Sequence, residues 1–203
     1  MKTTLIAIIL GLCGTFALAG NYVLTINGKP YEIDLDEPTS ITIEGNKKLQ
    51  LKLEKKEVVL FKTAAFSFSH PSSANPARSE IGDGTHQTLM ASPTGTLVMI
   101  QEYSNMDPTG LVDLMVSELT KEEVEYGYEI TKTPATKKLI DGQMVSGKHV
   151  ISTYRTDTYE RYVVCYGVKD AGLLIITQAD KTAPEEDLAM INLFWNSMKI
   201  SMQ

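Results

Sequence analysis

Cys165, three histidines and one dense cluster of tyrosines and arginines are the residues of this chain whose chemistry extends beyond packing. His70, His86, His149 and Cys165 stand at least 16 positions apart, so none forms the close ligand pairs of a structural zinc site, and no metal or other cofactor is implied. Cys165 lies in the apolar run Val163-Val164-Cys165-Tyr166, where burial raises a thiol's pKa and hides it from reagents, so a core residue is expected. A dyad of Cys165 with His149 on a neighbouring strand is the one nucleophilic arrangement that can be named. His70, just before Pro71, reads as the surface end of a strand, and His149 as an exposed strand position. Gly82-Asp83-Gly84 with Glu80 offers carboxylates and carbonyls to calcium but lacks the alternating acids of an EF-hand loop, and reads as a flexible turn. G-x-S-x-G, S-x-x-K, H-E-x-x-H and Gly-rich phosphate-loop patterns do not occur, so no catalytic residue is assigned.

The densest recognition chemistry is Tyr154-Arg155-Thr156-Asp157-Thr158-Tyr159-Glu160-Arg161-Tyr162. Two of the three arginines and three of the nine tyrosines meet there at one predicted hairpin, and these are the residue types over-represented at binding hot spots. Tyr154, Arg155, Tyr159, Arg161 and Tyr162 are therefore the candidate partner site. The alternative is that Tyr154 simply faces Tyr159 across the hairpin while the charged residues form ordinary solvated pairs.

The elements that must position these residues begin after an export signal. Lys2 supplies a positive start, Leu5 to Leu12 an apolar core too short to span a bilayer, and Ala17-Leu18-Ala19 a small-x-small cleavage site. Residues 1–19 thus read as a signal peptide, with a mature chain from Gly20. Losing Lys2 takes the formal net charge from -6 to -7. Leu10-Gly11-Leu12-Cys13 partly resembles a lipobox, with Leu12 where a small residue belongs, so a lipoprotein remains the competing reading. If Cys13 leaves with the signal, Cys165 has no partner for an intrachain disulfide. No Asn-x-Ser/Thr sequon occurs, which fits a bacterial periplasm or secretion from it. The acidic balance, 25 Asp and Glu against 19 Lys and Arg, argues against nucleic acid. Partners are expected instead among envelope proteins or small ligands, with no transmembrane anchor after cleavage.

Residues 20–63 alternate with period two and carry turn signals at Asn27-Gly28 and Gly45-Asn46, which predicts a small four-stranded β meander with a single buried face. Residues 64–203 mix both periods. Phe66 to Pro71 reads as a strand, Ser72 to Gly84 as a loop, and His86 to Ala91 and Thr96 to Tyr103 as strands. Asp107-Pro108 signals a helix start, Leu111, Leu114, Met115 and Leu119 an apolar stripe, and Gly127 a stop. Antiparallel strands follow at Tyr128–Thr133, Lys137–Ile140, Gln143–Tyr154, Tyr159–Val168 and Leu173–Gln178. Thr182 and Glu185, at capping-box spacing, then introduce a helix with Leu188, Ile191, Trp195 and Met198 on one face.

That order, with the opening Phe66-Ser67-Phe68-Ser69-His70-Pro71, the turn-bounded strand pair at Ser92-Pro93, and the strand Leu173 to Gln178 before a helix ending Phe194-Trp195-Asn196-Ser197-Met198, resembles the PsbP superfamily over residues 64–203. The resemblance implies an α+β fold, an antiparallel sheet flanked by helices as an α/β/α sandwich, here preceded by the β meander. It also implies members that bind or assist other proteins rather than catalyse. The expected function is an exported, non-enzymatic binding or assembly protein; the alternative is an envelope hydrolase or thiol-dependent enzyme whose site is assembled across strands.

Overall fold

Asn27-Gly28 and Gly45-Asn46 both turn the chain with paired positive φ values, and each closes a two-stranded antiparallel hairpin. The computed structural model describes residues 22–202; the expected signal peptide, Cys13 and the expected mature start at Gly20 lie outside the described residues. Strands β1 (Tyr22–Ile26) and β2 (Lys29–Ile33) form one hairpin, and β3 (Pro38–Ile43) and β4 (Lys47–Lys52) the other. The expected single meander is therefore two separate two-stranded sheets, linked by an isolated bridge between Leu35 and Leu53. Their apolar alternation is real, but among the described large aliphatic residues of these two hairpins only Ile33 and Ile41 are buried.

The first compact unit ends at Lys55, not at 63. Strand β5 (Val58–Lys62) pairs with β6 (Phe66–Pro71), so it belongs to the second unit. The unbroken apolar run Val58-Val59-Leu60-Phe61, where alternation fails, is the signal for that boundary.

Seven strands make the main sheet: β7 (Ala77–Gly82), β8 (Thr85–Ala91), β9 (Leu97–Tyr103), β10 (Glu129–Lys138), β11 (Met144–Tyr154), β12 (Asp157–Val168) and β13 (Ala171–Asp180). They run in the order β10-β11-β12-β13-β9-β8-β7, with every neighbouring pair antiparallel. β7, within a stretch expected to be loop, is an edge strand exposed along its whole length, which is why no hydrophobic pattern marks it. β10 runs unbroken through Pro134, tolerable because β10 is also an edge.

Between β9 and β10, Asp107 accepts from the Thr109 N–H at 2.9 Å and caps a 3-10 turn, Pro108–Leu111, which leads into helix α1 (Val112–Tyr126). Gly127 ends α1 at φ 90. The buried residues of α1 are Val112, Val116 and Thr120, while Leu114 is exposed. Helix α2 (Glu185–Ser197) starts at Pro184 without a side-chain cap; Thr182 donates to Asp180 instead of capping the helix. Strand β14 (Lys199–Ile200) then joins β6 and β5 in a three-stranded sheet, and the Ile200 N–H donates to Asp141 at 2.8 Å.

The chain is not an α/β/α sandwich. Among the described residues strands make up 55% against 18% helix, and the reason is geometric. Seven strands at about 4.8 Å spacing present a face roughly 30 Å wide, which one helix about 10 Å across cannot cover. Val98, Ile100, Val164, Leu173 and Ile175 point to a face shared by α2 and the β5-β6-β14 sheet, where Phe66, Phe68, Phe194 and Met198 are fully buried. Val150, Val163, Cys165, Leu174 and Ile176 point to the opposite face, against α1.

Candidate functional site

The hairpin β11-β12, which carries the candidate partner residues, turns at Arg155 with φ 54, and its register sets Ser152 opposite Tyr159 and His149 opposite Tyr162. Side chains alternate across a strand, so the five residues cannot form one surface. Tyr154, Tyr159 and Arg161 lie on the α1 face, Tyr162 on the α2 face, and Arg155 is exposed at the turn.

On the α1 face Arg161 is 4% exposed. Its guanidinium binds both carboxylate oxygens of Glu123 from α1, Nε donates to Gln178 at 2.6 Å, and Nη1 donates to Ser152 at 2.9 Å. It ties α1 to the sheet and is not presented to a partner, which corrects its place in the candidate site. Beside it, Tyr128 sits 5.2 Å from Tyr154 and 6.2 Å from Tyr159, measured between ring centroids, and Arg155 lies over the Tyr154 ring. Tyr126, at the end of α1, is 77% exposed.

Cys165 is buried on this same face, with Sγ donating to the Leu173 carbonyl at 3.1 Å. Burial, reinforced by the charge of Asp107, pushes its thiol up to about 12. His149 lies on the other side of the sheet, so the Cys165–His149 dyad does not exist. His149 is not an exposed strand residue either: its ring stacks on Tyr162 at 4.5 Å and Nε2 meets Glu160 at 2.7 Å. His70, expected at the surface, is buried against Phe68, with Nδ1 2.9 Å from the Pro71 carbonyl. At Gly82-Asp83-Gly84 the carbonyls of Asp83 and Gly84 are taken by Asn105 and Ser104, and no metal-ligating cluster occurs among the described residues.

The α2 face carries what the sequence did not assemble. A cleft of about 320 Å³ opens between α2 and strands β10, β12 and β13. Leu188, Ile191 and Trp195 of α2 form one wall, while Tyr162, Glu160 and Lys137 come from the sheet. The Lys137 ammonium stands 3.6 Å from the Tyr162 ring centroid and 4.9 Å from that of Trp195. The rings of Tyr162 and Trp195 meet edge to face at 6.4 Å. Burial pushes the Lys137 amine down, opposed by the Glu160 carboxylate. Burial pushes the Tyr162 hydroxyl up, and Glu160 adds to it. Trp195 Nε1 donates to Thr177 Oγ1 at 3.3 Å, which fixes the indole. Lysine, glutamate, tyrosine and tryptophan thus converge on one recess of mixed polar and apolar lining, with Leu188 and Ile191 on the helix side.

One signal for this cleft was legible: the helical recurrence Leu188, Ile191, Trp195. Of the four residues expected on one face, Met198 is fully buried in the core, whereas Leu188, Ile191 and Trp195 line the cleft; the buried residues within α2 are Asp187, Met190 and Phe194. Asp187 is held in place by Ser92, at 2.6 Å, and by Thr94.

The chain matches no protein-family model and no curated protein. A crystal structure from Bacteroides thetaiotaomicron VPI-5482 aligns with 72% of this chain and 49% of its own length, at 11% identity and a TM-score of 0.34. This chain therefore spans about half the length of that solved structure. Among the described residues no helix is long and apolar enough to cross a membrane.

Proposed function

We propose that this chain is an exported, periplasmic binding protein that acts without catalysis and takes a small ligand in the cleft between α2 and the β10-β12-β13 part of the main sheet. The observation that carries the reading is the convergence of Lys137, Glu160, Tyr162 and Trp195 on one recess, with Leu188 and Ile191 on its helix side. Trp195 is the single tryptophan of the chain, so its emission reports on the cleft alone. The test is a thermal-shift screen with sugars, amino acids, nucleotides, lipids and peptidoglycan fragments, repeated with Trp195 fluorescence on the wild type and Tyr162→Ala. A ligand at 100 times its dissociation constant stabilises by about 2.7 kcal/mol, a shift of several degrees. Hits that change Trp195 emission and vanish in Tyr162→Ala support the reading; hits that leave Trp195 silent and survive the substitution overturn it. Export is checked by mass spectrometry of the processed chain: a free Gly20 terminus supports the soluble periplasmic form, and an acylated Cys13 the lipoprotein.

A second surface favours a protein partner. Tyr126, Tyr128, Tyr154, Arg155 and Tyr159 gather at one end of the α1 face, aromatic and partly exposed. A crosslinked envelope protein lost on Tyr154→Ala and Tyr159→Ala, with the cleft intact, would move the function there.

A further inference from the structure

We infer that the cleft is a cage for an organic cation and that Lys137 is its tethered occupant, swung aside when an ammonium-bearing ligand enters. The inference deepens the binding reading above and rests on it.

An ammonium gains over the face of a tyrosine or tryptophan because the ring's quadrupole presents a negative surface, and the gain grows as water is excluded. The cleft already holds such a group: the Lys137 ammonium lies within 3.6 Å of one ring centroid and 4.9 Å of a second. The two rings meet nearly at right angles, with 73° between their planes, so together they form two walls of a corner and not a flat platform. Glu160 lines the same recess and brings a carboxylate to it, one oxygen of which meets His149 Nε2 at 2.7 Å. His149 and Thr177 brace the cage from behind, one stacked on Tyr162 and the other bonded to the indole nitrogen. None of this requires lysine for folding, because Lys137 sits on the edge strand β10, half-buried, at the end of a flexible four-carbon stem. A neighbouring volume of about 320 Å³ leaves room for a small organic cation to enter alongside and take its place. An anion would be drawn to Lys137 but would meet Glu160; a cation is attracted to the Tyr162 and Trp195 ring faces and to the Glu160 carboxylate, and competes with the movable Lys137.

The experiment uses choline as the probe and 3,3-dimethylbutan-1-ol, its uncharged isostere, as the control, at constant ionic strength. Binding is read by Trp195 emission and calorimetry on the wild type, Lys137→Met and Glu160→Gln, each checked for folding by circular dichroism. The expected result is that Lys137→Met binds choline at least tenfold more tightly than the wild type and at least tenfold more tightly than it binds the isostere, while Glu160→Gln weakens choline several-fold. Wild type silent and Lys137→Met binding supports the inference equally, since the tether then wins the competition. A folded Lys137→Met variant that binds choline no better than the wild type, or no better than the isostere, overturns it. If choline fails while an anion or a sugar shifts Trp195 emission in a Tyr162-dependent way, the cation class is wrong and the binding reading stands. If nothing in either panel perturbs Trp195, both fall.

Discussion

The two faces of the β11-β12 hairpin each place a cation beside a tyrosine and a glutamate, yet only one is closed. On the α1 face Arg161 lies over Tyr159, is bound by both oxygens of Glu123, and has further partners in Gln178 and Ser152. On the α2 face Lys137 lies over Tyr162, Glu160 is engaged by His149, and open volume remains beside them. The difference is one of satisfaction: a planar guanidinium with fixed partners is locked in place, whereas an ammonium held mainly by ring faces on a flexible stem can leave. Similar residue types therefore make a structural clamp on one side and an open cleft on the other.

The largest effect should come from breaking the clamp. Arg161→Ala leaves the Glu123 carboxylate, Ser152 and Gln178 without their partner, and should cost about 3–5 kcal/mol in denaturant unfolding. A cost below about 1 kcal/mol would place Arg161 with Lys137 as a dispensable cation. On the open side, Trp195→Ala should cost less than the fully buried Phe194→Ala, for which about 3–5 kcal/mol is expected, and should abolish any ligand-induced thermal shift.

Cys165 sharpens the contrast in accessibility. With its thiol pushed up to about 12, the folded state keeps its proton while the unfolded thiol ionises near pH 8.5. Stability from this group is thus complete below about pH 8.5 and declines as pH rises toward about 12. Alkylation at neutral pH should proceed only as fast as unfolding, and rapid labelling of the native protein would show the α1 face to be open. Asp187 gives the mirror case at acid pH. Burial raises its carboxyl, but the hydroxyls of Ser92 and Thr94 outweigh burial and leave it below its ordinary value. Its contribution is present above about pH 4 and is lost as pH falls through the depressed folded value. Asp187→Ala should flatten that acid limb in pH-dependent melting, while wild-type melting unchanged below pH 4 would contradict the assignment. The smallest effect belongs to Lys137→Met, within about 1 kcal/mol of wild type, as expected of a partly exposed cation over aromatic rings.

Much of the local structure was legible because it depends on near neighbours. The turns at Asn27-Gly28, Gly45-Asn46 and Asp141-Gly142 fall where glycine permits positive φ, and Asp107-Pro108 and Gly127 mark the ends of the first helical segment. The exposed edge strand β7 was illegible because it buries nothing, and the β5 boundary was masked by strand-like residues on both sides. The site followed the same division. Tyr162 could be singled out by type, but Lys137, His149 and Trp195 are 25, 13 and 33 positions away from it and carry no shared motif. The seven-residue separations of the helix, Leu188 to Trp195, said that those residues share a face but not whether that face is covered.

By itself, then, the sequence determined periodicities, turns and the apolar strand that buries Cys165, since these follow from each residue's own backbone preferences and its alternation along a strand. Strand order and the single helix on each face were decided by tertiary structure alone. They parted Arg161 from Tyr162 because successive side chains on one strand alternate faces, and Cys165 from His149 because the register sets His149 opposite Tyr162, three positions from Cys165 and so on the other face. They brought Lys137, Glu160, Tyr162 and Trp195 together because β10, β12 and α2 meet only once the sheet is assembled.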